Sequence, residues 1–253
     1  MGIKISEVTG VELKRDFRPI WIMDTSKETL GAVSHLVLLK RLGVIPVFVL
    51  VALIAILVRL DIRAVFEPPL LLPLLNTLFL SAIPFVVAYF SARGYVRSGS
   101  LNLLLLSCGM LTLGSGALLA GWLLAATGGP NVNVTIFNVG ALASAVFHAS
   151  GAIVTSAERI SEKEGKGRRL KVVILAYLGV LAFTALLTLG SVQGALPPFF
   201  IQGVGPTTVR QAVLGTAVAL FAFSSLIFMV RYARSKADFL YWYSLALALL
   251  TVG

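Results

Sequence analysis

The sequence predicts an all-α fold: a polytopic transmembrane helical bundle of about seven spans, the last of them cut short. Three observations predict it. The 253 residues are 58% hydrophobic and only 13% charged, with a mean hydropathy of +0.94, whereas a soluble domain carries about 25% charged residues. Residues 101–157 contain no Asp, Glu, Lys or Arg, and each of the two apolar runs within them exceeds the roughly 20 residues that cross a hydrocarbon core about 30 Å thick. The cations are also one-sided: seven lie in residues 1–42, two in 93–100, six in 158–171 and three in 231–237. These are alternate connections between spans, and positive loops stay in the cytoplasm. The other connections hold only Arg59, Arg63 and Arg210. The expected product is a multi-pass protein of the cell membrane with its N-terminus in the cytoplasm. The net charge of +10 follows from the same asymmetry. It does not call for nucleic acid, which needs a basic face on a soluble fold.

Residues 1–42 read as a cytoplasmic basic arm. Thr25-Ser26-Lys27-Glu28 has the form of a capping box, which satisfies two free N–H groups at a helix start. Leu30, Val33, Leu36 and Val37 follow at helical spacing, ending in Lys40-Arg41. Two readings fit: a short amphipathic helix on the inner membrane surface, or the ordinary entry to the first span. No secretory signal peptide is expected, because the first 40 residues lack a continuous apolar core.

The bundle occupies 43–253. Span one is expected over about 43–60 and span two over about 70–92. Spans three and four are the two uncharged runs, separated by Gly128-Gly129-Pro130-Asn131, a turn signal that a continuous helix does not tolerate. Both carry closely spaced small residues, among them Gly109, Gly114, Gly116, Gly121, Gly140, Ser144 and Gly151. Helices associate in lipid through such close approaches, so these two spans are expected at the centre. Span five is expected over 170–192 and span six over 208–231. A seventh begins near Asp238, where the remaining 16 residues are short of a comfortable crossing. With no polar or basic anchor after Leu249-Leu250-Thr251-Val252-Gly253, the expectation is a chain whose remainder completes the bundle.

Motifs for catalysis are missing. No HExxH, P-loop, GxSxG or Cys/His metal spacing occurs, so no catalytic residue and no metal site is assigned, no cofactor is named, and an enzyme is not expected from this chain. The carboxylates nearest the spans, Asp61, Glu67, Glu158 and Asp238, fall at their ends. Ion-coupled transporters keep ionisable pairs inside the membrane. The lone Cys108 has no partner for a disulfide.

His148 is the one histidine within a span. Ser144 and Ala152 lie one turn away on either side, so it faces the bundle interior with small residues. Haem or metal ligation needs partners, and the other histidine, His35, belongs to the arm. A neutral imidazole hydrogen-bonded to another helix is the alternative. Asn76 and Asn102 are expected near span ends within reach of water. Asn138 serves either as helix–helix glue, worth about 0.6–2 kcal/mol in a membrane, or as a ligand contact.

The outer loops are the candidate ligand site. Gly128–Thr135 is polar, uncharged and turn-rich. Gln193–Thr208 brings Pro197-Pro198, Phe199-Phe200, Gln202, Gly203, Gly205 and Pro206. With Asn131, Asn133, Asn138 and His148, the side chains Phe199, Phe200 and Gln202 complete the candidate ligand-binding set, an apolar pocket with amides at its mouth. The competing reading makes Phe199 and Phe200 an interfacial aromatic anchor. Asn133-Val134-Thr135 is also a glycosylation sequon. Arg231, Arg234 and Lys236, followed by Tyr241, Trp242 and Tyr243, read as a basic and aromatic border at the inner interface.

Four strings carry a family resemblance: LNTLFLSAIPFVVAYFSARGYVRSGSLNLLLLSCGMLTLGSGALLAGWL (75–123), GGPNVNVTIFNVGALASAVFHASGA (128–152), PPFFIQGVGPTTVRQAVLGTAVALFAFSSLIF (197–228) and FLYWYSLALALLTVG (239–253). Together they resemble the N-terminal multi-span membrane sensor region of archaeal and bacterial PAS-domain sensor histidine kinases. The charged arm departs from that pattern, and no output module is present. The resemblance implies a membrane-embedded sensory input domain in signal transduction, passing an outer or intramembrane stimulus to a cytoplasmic PAS or kinase module. It implies an eighth span in a complete sensor. The partners expected are the lipid bilayer, that module and a second copy of the chain. The alternative function is a non-catalytic membrane subunit or permease component.

Overall fold

The computed structural model describes residues 43–60, 70–127, 129–154 and 165–252. The expectations for the arm, including the capping box, the amphipathic helix and His35, lie outside the described residues, as do Arg63, Glu67 and Glu158. Among the described residues the chain is an all-helical bundle with one two-residue-per-strand hairpin. The helices are α1 (Ile45–Leu60), α2 (Leu71–Ser98), α3 (Leu101–Thr127), α4 (Pro130–Ile153), α5 (Lys166–Val192), α6 (Thr208–Ser235) and α7 (Asp238–Val252). Strands β1 (Phe200–Ile201) and β2 (Gly205–Pro206) pair antiparallel between α5 and α6. Helices α2 to α6 are each long and apolar enough to cross a membrane, while α1 and α7 are shorter apolar helices. A multi-pass membrane protein follows from those five.

Several boundaries depart from expectation, each for a local reason. Helix α2 runs to Ser98, past the expected end at 92, so Arg93 and Arg97 ride on its last turns. Gly99, at φ 72°, then stops it, its N–H bonded to the Tyr95 carbonyl at 2.7 Å; glycine supplies this left-handed cap without a Cβ clash. A π-helical segment, Asn76–Ala82, lies within α2 just ahead of Pro84, where proline would otherwise clash with the turn before it. The polar stretch 128–135 is helix from Pro130 onward: Gly129 is extended, and proline fits the first helical position, where no N–H is needed. Helix α5 starts at Lys166, four residues early, and α6 runs on to Ser235. Thr207 caps α6, its Oγ1 accepting from the Arg210 N–H at 3.4 Å.

Helix α3 is apolar all round, as a helix surrounded by others must be, and it is the most buried of the five. Its largest interface is with α4. There Gly116 and Gly140 meet with no side chains between them: a Cβ on Gly116 would lie 3.7 Å from the Gly140 Cα. Two clusters flank α3. On one side Leu106 packs with Ala145 and Ala152 of α4, Ala217, Phe221 and Phe228 of α6, and Tyr243 and Leu247 of α7. On the other, Leu104 and Cys108 pack with Ala92 and Tyr95 of α2 and Val173 and Val180 of α5. Helix α1 buries no residue and touches α7.

The two ends of the bundle differ in chemistry. One, the hairpin end, gathers the start of α2, the junction of α3 with α4, and the β1–β2 hairpin, where Asn131 meets Phe199 and Gly121 meets Pro73. The other, the basic end, gathers Arg93, Arg97, Lys166, Arg168, Arg169, Lys171, Arg231, Arg234 and Lys236.

Candidate functional site

His148 lies about three-quarters of the way along α4 toward the basic end, fully buried. Its ring fits because Gly109 of α3 has no side chain: a Cβ there would sit 2.8 Å from the imidazole Cε1. One turn earlier on α4, Ser144 donates to the Gly109 carbonyl at 2.8 Å, which fixes the register of the two helices at that contact. The bond across helices expected of a neutral imidazole is made with α7. The Tyr243 hydroxyl lies 2.5 Å from His148 Nδ1. With the phenol donating, Nδ1 accepts and the ring proton belongs on Nε2. Nε2 is buried and has no hydrogen-bond partner among the described residues.

Aromatic rings enclose the pair. Phe221 of α6 is 5.9 Å from the imidazole, Phe228 is 4.7 Å from the Tyr243 ring, and Phe239 stacks on Tyr243 at 5.6 Å. A hydrogen bond in such an apolar box has no water competing for it, and an unpaired polar atom there is correspondingly costly. No group of three His, Cys, Asp or Glu side chains converges among the described residues. Cys108 belongs to the cluster on the opposite side of α3.

The candidate set from the sequence divides. Asn131 sits at the first turn of α4, and its Oδ1 accepts from the N–H groups of both Phe199 (2.8 Å) and Phe200 (2.9 Å). Phe199 is buried and Phe200 half-buried, while Gln202 is exposed in the hairpin turn. Asn133 donates to the Ala120 carbonyl at 2.7 Å, closing the α3–α4 junction. Asn131 and Asn133 form a latch, the oxygen of the first and the nitrogen of the second bonded to backbone. His148 is 17 residues further along α4 than Asn131, about 25 Å at 1.5 Å per residue. Asn138 lies between, buried, its Nδ2 without a partner among the described residues.

One expectation about water near span ends is corrected. Asn76 is buried, donating to the Ala117 carbonyl at 3.4 Å, because the small Gly121 lets α2 approach α3 there. Asn102, half-buried, is the second residue of α3 and so lies at a span end as expected, but its Oδ1 is buried and without a partner among the described residues.

Sequence reasoning missed two residues. Tyr243 reads as a border aromatic, yet Leu240, Tyr243, Leu247 and Leu250 recur at helical spacing and turn to the core. Arg169 reads as one of six loop cations. It is buried instead, donating to the Arg97 carbonyl at 3.2 Å and the Val96 carbonyl at 3.5 Å, with its guanidinium over Gly99. It thus pairs with the open carbonyls at the α2 C-terminus.

No protein-family model matches the sequence, and no curated protein or solved structure is significantly similar to it.

Proposed function

We propose that this chain is a membrane-embedded sensory input domain that passes an outer or intramembrane stimulus to a cytoplasmic output module. The observation carrying the reading is the buried His148–Tyr243 contact. It ties α7 to the α3–α4 core through one hydrogen bond, and that bond leaves His148 Nε2 unsatisfied. Breaking such a bond costs little, since membrane hydrogen bonds between helices are worth only about 0.6–2 kcal/mol. A stimulus that re-pairs either group moves α7 relative to α4, and helix shifts of 1–2 Å are an established way to carry a signal. The N-terminus lies in the cytoplasm in this reading, which places the basic end at the inner leaflet. A PAS or kinase module there, and a second copy of the chain, are the partners it calls for.

The described helices hold no carboxylate in their interiors, Asp238 being the first residue of α7. That speaks against the ion-coupled form of the alternative, a permease component. The test joins residues 1–253 to a histidine kinase module stripped of its own input and measures autophosphorylation in vesicles. Tyr243→Phe is expected to change the rate at least threefold. An unchanged rate, with substrate flux in proteoliposomes of the same protein, would overturn the reading.

A further inference from the structure

A cavity of about 260 Å³ opens at the basic end between α3, α6 and α7. Its walls are mainly apolar: Leu103 and Leu106 of α3, Phe228 of α6, and Phe239 and Leu240 of α7. The polar groups that reach it are few. Asn102 presents a buried Oδ1 with no hydrogen bond among the described residues. Arg231, one turn from the end of α6, lies over the Phe228 ring at 5.9 Å and makes no ion pair among the described residues. Ser100 adds a hydroxyl at the start of α3. Tyr243 forms part of the wall, its own hydroxyl turned to His148.

We infer that this cavity binds an anionic amphiphile: an acid head on Arg231, with an aliphatic chain among Leu103, Leu106, Phe239 and Leu240. The chemistry follows from the lining. An uncharged apolar ligand leaves the Arg231 guanidinium unused, and a fully hydrated anion gains nothing from five apolar walls. Arginine binds carboxylate and phosphate in a planar two-point fork. A hydroxyl beside the acid, such as a glycerol headgroup carries, satisfies Asn102 Oδ1, an acceptor now buried at a cost, whereas a plain fatty carboxylate rests on Arg231 alone. Two sources share this chemistry, a free fatty carboxylate and an anionic phospholipid. The inference stands independently of the sensory reading, because it concerns occupancy alone. Its consequence for that reading is that the occupant lies against the same Tyr243 ring that holds His148.

The full chain, purified in non-ionic detergent, is titrated with laurate, dodecanol, dioctanoyl phosphatidylglycerol and dioctanoyl phosphatidylcholine, and adducts are counted by native mass spectrometry. A single saturable adduct is expected with laurate or with phosphatidylglycerol, at least tenfold tighter than with its uncharged or zwitterionic counterpart. Laurate alone identifies a free carboxylate, and phosphatidylglycerol alone a membrane phospholipid. Arg231→Gln should weaken the adduct at least tenfold, and Leu240→Trp, which fills the cavity and keeps the charge, should remove it. Arg234→Gln, outside the lining, should leave it unchanged. Equal affinity for dodecanol and laurate, or equal loss in the Arg231 and Arg234 variants, would overturn the inference.

Discussion

The two ends of this bundle solve the same problem differently. A membrane interior offers no water to unpaired polar groups, so each must find a partner in the protein. At the hairpin end they do: Asn131 holds two backbone N–H groups, Asn133 a carbonyl, Thr207 the Pro198 carbonyl at 2.8 Å, and the Trp122 indole the Thr77 hydroxyl at 3.0 Å. Among the described residues, the side-chain atoms left buried and unpartnered lie further in. Ser81 Oγ and Asn138 Nδ2 lie about a third of the way in from the hairpin end, and His148 Nε2, Asn102 Oδ1 and Arg169 Nε lie toward the basic end. The hairpin end is a satisfied latch. The basic end keeps unspent hydrogen-bonding capacity around α7, and that is where a ligand or a rearrangement gains energy.

The contrast is broken most severely at the point where the tight core meets the unsatisfied pair. Gly109→Leu drives side-chain atoms into the His148 ring, 2.8 Å from where even a Cβ would lie. The expected cost is about 3 kcal/mol or more, read as a lowered thermal midpoint in detergent. Next comes the latch. Asn131→Ala strips the acceptor from two N–H groups at once, and each buried donor left alone costs about 1–3 kcal/mol; hydrogen exchange at Phe199 and Phe200 should accelerate while α7 amides keep their rate. Tyr243→Phe removes the single bond to His148 and should cost about 0.6–1.7 kcal/mol, in a denaturation series at fixed detergent. The smallest effect sharpens the contrast. Asn102→Leu deletes an amide that already lacks a partner for its oxygen, so stability should stay within about 0.5 kcal/mol of the parent or rise. A loss as large as that of Asn131→Ala would mean the two ends are satisfied alike.

How much of this was legible in the sequence follows from what hydropathy reports. The long apolar spans and the central place of α3 and α4 were readable, because uncharged runs of that length have one stable solution in lipid and their glycines mark close approach. Azimuth was not readable. A helix such as α3, apolar all round, gives no sign of which side meets α4 through Gly109 and Gly116 and which meets α2 and α5. Charge marks a membrane boundary only loosely. Arg93, Arg97 and Arg231 therefore read as loop residues although they ride on helix ends, and Arg169 hid among its neighbours although it is buried under Gly99. For the candidate site, the helical face of His148 was legible from Ser144 and Ala152. Its partner was not, since an aromatic run at a helix start reads as an interfacial anchor. Asn131 was noticed for its polarity, but only the fold shows that the polarity is used up by the hairpin.

The central claim is that the basic end can rearrange around α7 while the hairpin end stays fixed. Paired spin labels in lipid nanodiscs measure this directly, one pair on Ile153 and Trp242 for α4 against α7, the other on Leu74 and Val204 for α2 against the hairpin; all four side chains are exposed. The account predicts that Tyr243→Phe broadens or splits the distance distribution of the first pair and leaves the second as narrow as in the parent. A first pair unchanged by the substitution, or a second pair that broadens with it, would contradict the account.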